Sequence, residues 1–174
     1  MKKEISIEEY NSNWAKEFEE EKVKLKEILN DKVISIEHIG STSIKGLGAM
    51  PIIDIAIGVK DLETVMDFNE PLQKLGYEFV NHKEFPERRF FRKGEWRAGT
   101  HHLHFYEFEG EHWNNQILFR DYLRTYPNAL KEYQQLKVNL AAEYRFDRVS
   151  YTEAKAPFIQ KVLFKAKEET GQVN

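Results

Sequence analysis

Asp54 is the single charged residue in the run Ile52-Ile53-Asp54-Ile55-Ala56-Ile57. An unpaired carboxylate in such company would cost on the order of several kcal/mol, so a partner or a ligand must offset its charge. A short way upstream, Gly40-Ser41-Thr42-Ser43 follows directly on another apolar stretch. Glycine lets the backbone turn sharply and approach a ligand, and successive amides can form an anion-binding nest. Three adjacent hydroxyls can add donors to phosphate oxygens. Singly, each feature has a plain structural use: the Asp can cap a turn or pair with an Arg, and the turn can cap a helix. Together, a phosphate-cradling turn after one strand and a metal-ready carboxylate on the next form a two-part pattern for binding a phosphorylated ligand with a divalent cation.

Other residues could complete such a site. Glu37 precedes the turn, with a side chain that can point along the same edge. His102 and His104 are two apart on an expected strand and so share a face. Imidazole suits zinc, iron or nickel better than magnesium. His102 and His104 with Asp54 or Glu37 would make a mononuclear transition-metal centre, while the alternative is a pair of hydrogen-bonding residues on a strand. His82 and His112 sit near expected turns and read as surface residues. Arg88, Arg89, Arg92, Lys93 and Arg97 form a basic stretch interleaved with Glu84, Glu87 and Glu95. Most of it reads as a solvated hairpin, with Arg89 or Arg92 reaching toward phosphate. Arg120, Asp121 and Arg124 read as structural charges on one helix, and Lys155, one turn after Tyr151, can set an ammonium on a phosphate.

The elements that must position these groups follow from periodicity. Residues 4–8 alternate as a short strand. A charged helix spans about 8–30, with Trp14, Phe18, Val23, Leu25 and Ile28 as its apolar stripe. Strands are expected at 33–39 and 52–59, the second buried on both faces. Asp61 caps a helix over 62–75 that Gly76 ends. Strands follow at 77–80, 87–92 and 100–108, with Gly94 in the last bend. The final third is helical: 112–126, then a helix started by Pro127 with Ala129, Tyr133, Leu136 and Leu140 along one side, then one opened by a Ser150/Glu153 capping box and carrying Ala154, Phe158, Val162 and Ala166.

The stretch Ile36-Glu37-His38-Ile39-Gly40-Ser41-Thr42-Ser43, followed by Pro51-Ile52-Ile53-Asp54-Ile55, resembles the GrpB family, which is grouped with the nucleotidyltransferase fold of the polymerase-beta type. The resemblance continues through His102-Leu103-His104, Phe119-Arg120-Asp121-Tyr122-Leu123-Arg124 and Tyr151 with Lys155, and covers nearly the whole chain. It implies an α+β fold: a nucleotidyltransferase-like mixed sheet flanked by helices, with a helical C-terminal third. In the wider superfamily a Gly-Ser turn holds nucleotide phosphates, two acids separated by one apolar residue bind magnesium, and a later strand adds a third acid. Gly40 and Ser41 match the turn and Asp54 the first acid, but Ala56 stands where the second belongs. Two-metal phosphoryl transfer needs several carboxylates to hold cations about 4 Å apart, which one Asp does not supply.

Composition narrows the rest. The 174 residues fit one domain over the whole chain, 41% hydrophobic and 32% charged. Net charge is −3 with no basic tail, which disfavours nucleic acid as a partner. Cysteine is absent, so no cysteine-based zinc site exists. No run approaches the roughly 20 apolar residues that span a bilayer, and the start lacks a signal-peptide pattern, so a cytoplasmic protein is expected. The 13% aromatic share leaves room for an apolar homodimer patch. The expected function is binding of a nucleotide or other phosphorylated small molecule with a divalent metal, metal-dependent nucleotidyl transfer being left open because Ala56 replaces the second acid. Gly40, Ser41, Thr42, Ser43, Arg89 and Lys155 would hold phosphate, with Asp54 and Glu37 as candidate catalytic acids. Mg2+ is the expected cation, with Mn2+ or Zn2+ as alternatives. The competing readings are a catalytically silent binding module and a metal-dependent phosphohydrolase built on His102, His104, Asp54 and Glu37.

Overall fold

The computed structural model describes residues 2–95 and 98–171. Its centre is a five-stranded mixed sheet of β1 (Ser35–Ile39), β2 (Ile53–Val59), β3 (Tyr77–Val80), β4 (Arg89–Glu95) and β5 (Ala98–Glu107), in the order β1-β2-β5-β4-β3. β2 and β5 run parallel, and every other neighbouring pair is antiparallel. β2 is therefore an inner strand, and its Ile53, Ile55, Ile57 and Val59 are fully buried as the apolar run predicts.

Strand alternation gives the sheet two unlike faces. One carries Ile36, Ile53, Ile55, Ile57, Phe91, Leu103 and Phe105, which pack with α1 (Asn13–Leu29) and with the segment 62–74 into the main core. The helix α1 starts at Asn13, later than expected, where the Asn11 side chain accepts from the Asn13 amide at 2.9 Å. Its buried stripe is Trp14, Phe18, Glu21, Leu25 and Leu29. Val23 is exposed, and Glu21 takes the stripe position instead, its carboxylate accepting from Tyr77 (2.8 Å) and Lys93 (2.9 Å). The alternating residues 4–8 do not form a strand. Only Glu8 bridges, to Ala49, while the Ile5 amide bonds to the Arg145 carbonyl.

Asp61 caps the next segment as expected, accepting from the Glu63 amide at 2.9 Å. The expected single helix is instead a 3₁₀ stretch, Leu62–Phe68, followed by α2 (Asn69–Lys74). Pro71 explains the division, since it lacks an N–H and is tolerated only in the first turn of an α-helix. Gly94 lies inside β4 rather than in a bend, at a register shift between Lys93 and Gly94. The strand β5 begins two residues earlier than expected, and Arg97 lies outside the described residues.

The other face carries Glu37, Ile39, Asp54, Ala56, His102, His104 and Tyr106. Part of it is covered by α3 (Glu111–Thr125), through Trp113 and Ile117 against Ile39, Ala56 and Tyr106. Beyond it lie α4 (Pro127–Glu143), α5 (Arg148–Ala154) and α6 (Ala156–Glu169), which complete the α+β architecture with a helical C-terminal region. The expected Ser150/Glu153 capping box is replaced by Asp147, which accepts from both the Ser150 amide (3.1 Å) and its hydroxyl (2.6 Å). The helix then breaks at Lys155, ahead of Pro157, and restarts as α6. Among the described residues no helix is long and apolar enough to cross a membrane.

Candidate functional site

Parallel pairing of β2 with β5 sets His102 opposite Asp54 and His104 opposite Ala56, all on the face that α1 does not cover. His104 Nε2 lies 2.9 Å from Asp54 Oδ1, and His102 Nδ1 lies 3.5 Å from the same oxygen. One ligand atom from each lies within 4.8 Å of the others, a group that could hold a metal ion. Burial pushes the Asp54 carboxyl upward, but the two imidazoles more than offset that and hold it well below the usual carboxylate range.

The Gly40 turn meets this carboxylate directly. Gly40 has φ +72° and ψ −176°, and a Cβ there would stand 2.6 Å from Asp54 Oδ2. Two of the three hydroxyls expected to face phosphate shape the turn instead. Thr42 donates to the Ile52 carbonyl (3.2 Å) and shares a 2.9 Å bond with His38 Nε2. Ser43 donates to the Gly40 carbonyl at 2.5 Å. Because the Thr42 proton goes to Ile52, His38 is the donor in its bond, and burial, opposed by the Asp54 charge and aided by Arg124 and Arg120, brings its pKa down to about 4. Ser41 is the half-buried hydroxyl of the three, and its side chain sits against the Tyr133 phenol.

Arg120 and Arg124 brace the turn rather than pairing only along their helix. Arg124 forks the Ser43 carbonyl with Nε (3.1 Å) and Nη2 (2.7 Å). Arg120 Nη1 reaches both the His38 carbonyl (3.1 Å) and Glu37 (2.7 Å), while its Nε holds Asp121 (2.9 Å). Glu37 shares the Asp54 face but stands opposite Ala56, with its carboxylate engaged by Arg120 and outside the Asp54–His102–His104 group.

Arg89 is not brought to the site. It pairs with Phe105 across the sheet and so lies on the α1 face, 3.7 Å from Glu63. Its neighbour Arg88 takes that place, donating to His104 Nδ1 at 3.0 Å and His82 Nδ1 at 3.1 Å. His82 is therefore a half-buried partner of Arg88 rather than a plain surface residue. Arg92 is opposite His102 and paired with Glu78 at 3.3 Å.

Lys155 places its Nζ 4.5 Å from the Tyr151 ring centroid. Burial brings its pKa down to about 8 although the Asp54 charge opposes the shift. Lys137 joins it, 2% exposed, donating to the Gly48 carbonyl at 2.7 Å. Burial and then the Lys155 charge bring Lys137 down to about 7, again against Asp54. The Tyr151 hydroxyl is buried with no partner among the described residues. Sequence reasoning passed over Lys137, yet the signal was there. It lies four residues after Tyr133 and three before Leu140, a charge on the apolar side of α4.

A profile described as GrpB protein matches residues 4–165. The chain belongs to the GrpB family. It is 40% identical over 166 residues to the "Glutamate-rich protein GrpB" of Alkalihalophilus pseudofirmus, covering 93% of this chain and 95% of that one. It is also 40% identical to the UPF0157 protein YqkA of Bacillus subtilis, where the match covers 95% of this chain but 48% of that longer protein. The crystal structure of conserved protein GrpB from Enterococcus faecalis superposes with a TM-score of 0.87 at 35% identity, over 95% of this chain and 99% of that one.

Proposed function

We propose that this GrpB-family protein binds a nucleotide or a related phosphorylated small molecule at the corner between Gly40 and Asp54. The observation that carries this reading is the pair formed by the fully buried Lys137 and the half-buried Lys155, whose pKa values burial lowers and on which the Asp54 charge acts. Two lysines with depressed pKa values are an unfavourable arrangement in the free protein, and a polyanion between them and the Gly40-Ser41 turn removes the penalty. The Ser41 hydroxyl, against the Tyr133 phenol, adds a neutral donor at the turn. Thr42 and Ser43 contribute by fixing the turn.

One Mg2+ or Mn2+ fits this chemistry, because a hard cation takes one or two carboxylates and completes its shell with phosphate oxygens and water. Asp54 would hold it, and the cation would offset phosphate charge there. Glu37 is a structural support in this reading. A catalytically silent nucleotide-binding module is the second reading, favoured by Ala56. It is fully buried against Ile39 and Trp113, in the place where a second acid would stand.

Thermal unfolding against nucleotides and phosphorylated metabolites, each with Mg2+, Mn2+ or Zn2+, tests the site. A ligand at a hundredfold excess over its Kd should stabilise the fold by about 2.7 kcal/mol. The stabilisation should depend on Mg2+ or Mn2+ and disappear in Asp54→Asn. An Asp54→Asn variant with unchanged ligand and metal response would remove Asp54 from the site. Turnover of the bound ligand would then exclude the silent reading, and saturable binding without turnover would favour it.

A further inference from the structure

By spacing alone, Asp54, His102 and His104 resemble a transition-metal centre, but the chemistry behind His104 does not fit a metal ligand. Arg88 Nη1 lies 3.0 Å from His104 Nδ1. A guanidinium only donates, so His104 Nδ1 must accept. The ring then carries its proton on Nε2, 2.9 Å from Asp54 Oδ1, and donates it to the carboxylate. A metal-bound histidine has the opposite arrangement: a lone pair toward the ion and its other N–H donated to a carboxylate or carbonyl. To ligate through Nε2, His104 would have to move its proton to Nδ1 and set it against the Arg88 cation.

Arg88 is clamped where it is. Its Nη2 donates to His82 Nδ1 at 3.1 Å, and its Cζ lies 5.0 Å from the Phe85 ring centroid and 5.1 Å from that of Phe90. The His82 ring stacks on Phe90 at 4.9 Å, and Phe90 in turn packs on His104 at 5.3 Å. Swinging the guanidinium away would undo both hydrogen bonds and both ring contacts.

We infer that His104 is a positioning residue for Asp54, locked by Arg88 as an Nε2–H donor to Oδ1, and not a ligand of a resident transition metal. The carboxylate is thereby oriented with Oδ2 toward the Gly40 turn. The corner then favours a hard cation that arrives with a phosphorylated ligand over Zn2+ held by imidazoles. This stands against the reading of His104 as a metal ligand and against the phosphohydrolase alternative built on it. It rests on the reading of Asp54 as the ligand-facing carboxylate, but its test uses the ligand-free protein and no nucleotide.

Two measurements test it. In long-range 1H–15N spectra of the 15N-histidine-labelled protein near neutral pH, His104 should show the proton on Nε2 and a bare, hydrogen-bonded Nδ1. In calorimetric titration with Zn2+ alone, the wild-type protein should show no stoichiometric site dependent on His104. Arg88→Met, which leaves Nδ1 free to carry a proton, should bind Zn2+ at least about tenfold more tightly than any weak wild-type binding, the lower end of effects seen when groups behind a ligating histidine change. A His104 proton on Nδ1, or stoichiometric Zn2+ binding by the wild type that is lost in His104→Gln, would overturn the inference. An Arg88→Met protein that folds and binds Zn2+ no better than wild type would overturn the locking role of Arg88. If Arg88→Met does not fold, the wild-type spectrum and the His104→Gln titration still decide the matter.

Discussion

Gly40 and Asp54 share one corner of the molecule: a methyl group on Gly40 would stand 2.6 Å from Oδ2 and 3.0 Å from Cβ of Asp54. The Gly40 backbone, at φ +72° and ψ −176°, also lies in a region that only glycine occupies readily. Gly40→Ala should therefore cost about 1–3 kcal/mol in backbone strain alone. The clash should also displace the carboxylate. Urea unfolding should show the loss, and the variant should have no ligand-dependent stabilisation even at temperatures where it is fully folded.

Lys137 and Lys155 predict a pH dependence with a definite sign. Their folded pKa values, about 7 and about 8, lie below the ordinary lysine value of 10.5. Between those limits the unfolded chain binds more protons than the folded one, so on their account stability rises with pH from about 7 to about 10. A bound phosphate restores both ammonium groups, so binding at pH 8 should take up protons. Calorimetry in two buffers of different ionisation enthalpy reads that uptake directly, and a proton count of zero would contradict it.

Lys155→Met separates stability from binding. It removes a half-buried cation whose Nζ sits over the Tyr151 ring and whose pKa burial lowers, while keeping an apolar side chain in its place. The free protein should become more stable and its ligand should bind more weakly, the direction expected where a site is built at the expense of the fold. Thermal unfolding with and without ligand measures both effects in one experiment.

Arg120 and Glu37 should respond unequally although they form one ion pair at 2.7 Å. Glu37→Gln keeps an acceptor for Arg120 at the half-exposed end of the pair, and should cost about 1 kcal/mol or less with ligand affinity little changed. Arg120→Met also strips the His38 carbonyl and Asp121 of their donor, next to the turn. It should cost about 1–3 kcal/mol, and ligand affinity should fall with it. Equal effects on affinity would contradict a purely structural role for Glu37.

Much of the architecture was legible because periodicity alone dictates it. The apolar run at Ile52–Val59 announced an inner strand, and the spacing of Tyr133, Leu136 and Leu140 announced α4. Local rules failed where a distant group intervened. Val23 looks like a stripe residue, yet the register of α1 turns Glu21 inward to meet Tyr77 and Lys93, which lie more than 50 positions away in the sequence. Asp147 outcompetes the Ser150/Glu153 box because a carboxylate can accept from both the amide and the hydroxyl of Ser150. The site divides in the same way. Gly40 and Asp54 stand out from residue type and position, and strand spacing puts His102 and His104 on one face. Strand register decides that Arg88 and not Arg89 faces them, and a one-residue difference in register reverses that choice. Which hydroxyls of the turn remain available depends on His38 and Ile52, which no local pattern links to Thr42.

The most direct test of the account is a crystal structure of the protein with Mn2+ and the nucleotide that stabilises it most. An anomalous peak for manganese should sit on the Asp54 carboxylate, bridged to phosphate oxygens that lie along Gly40-Ser41 and within reach of Lys155. Manganese or phosphate bound elsewhere, with this corner left to water, would contradict it.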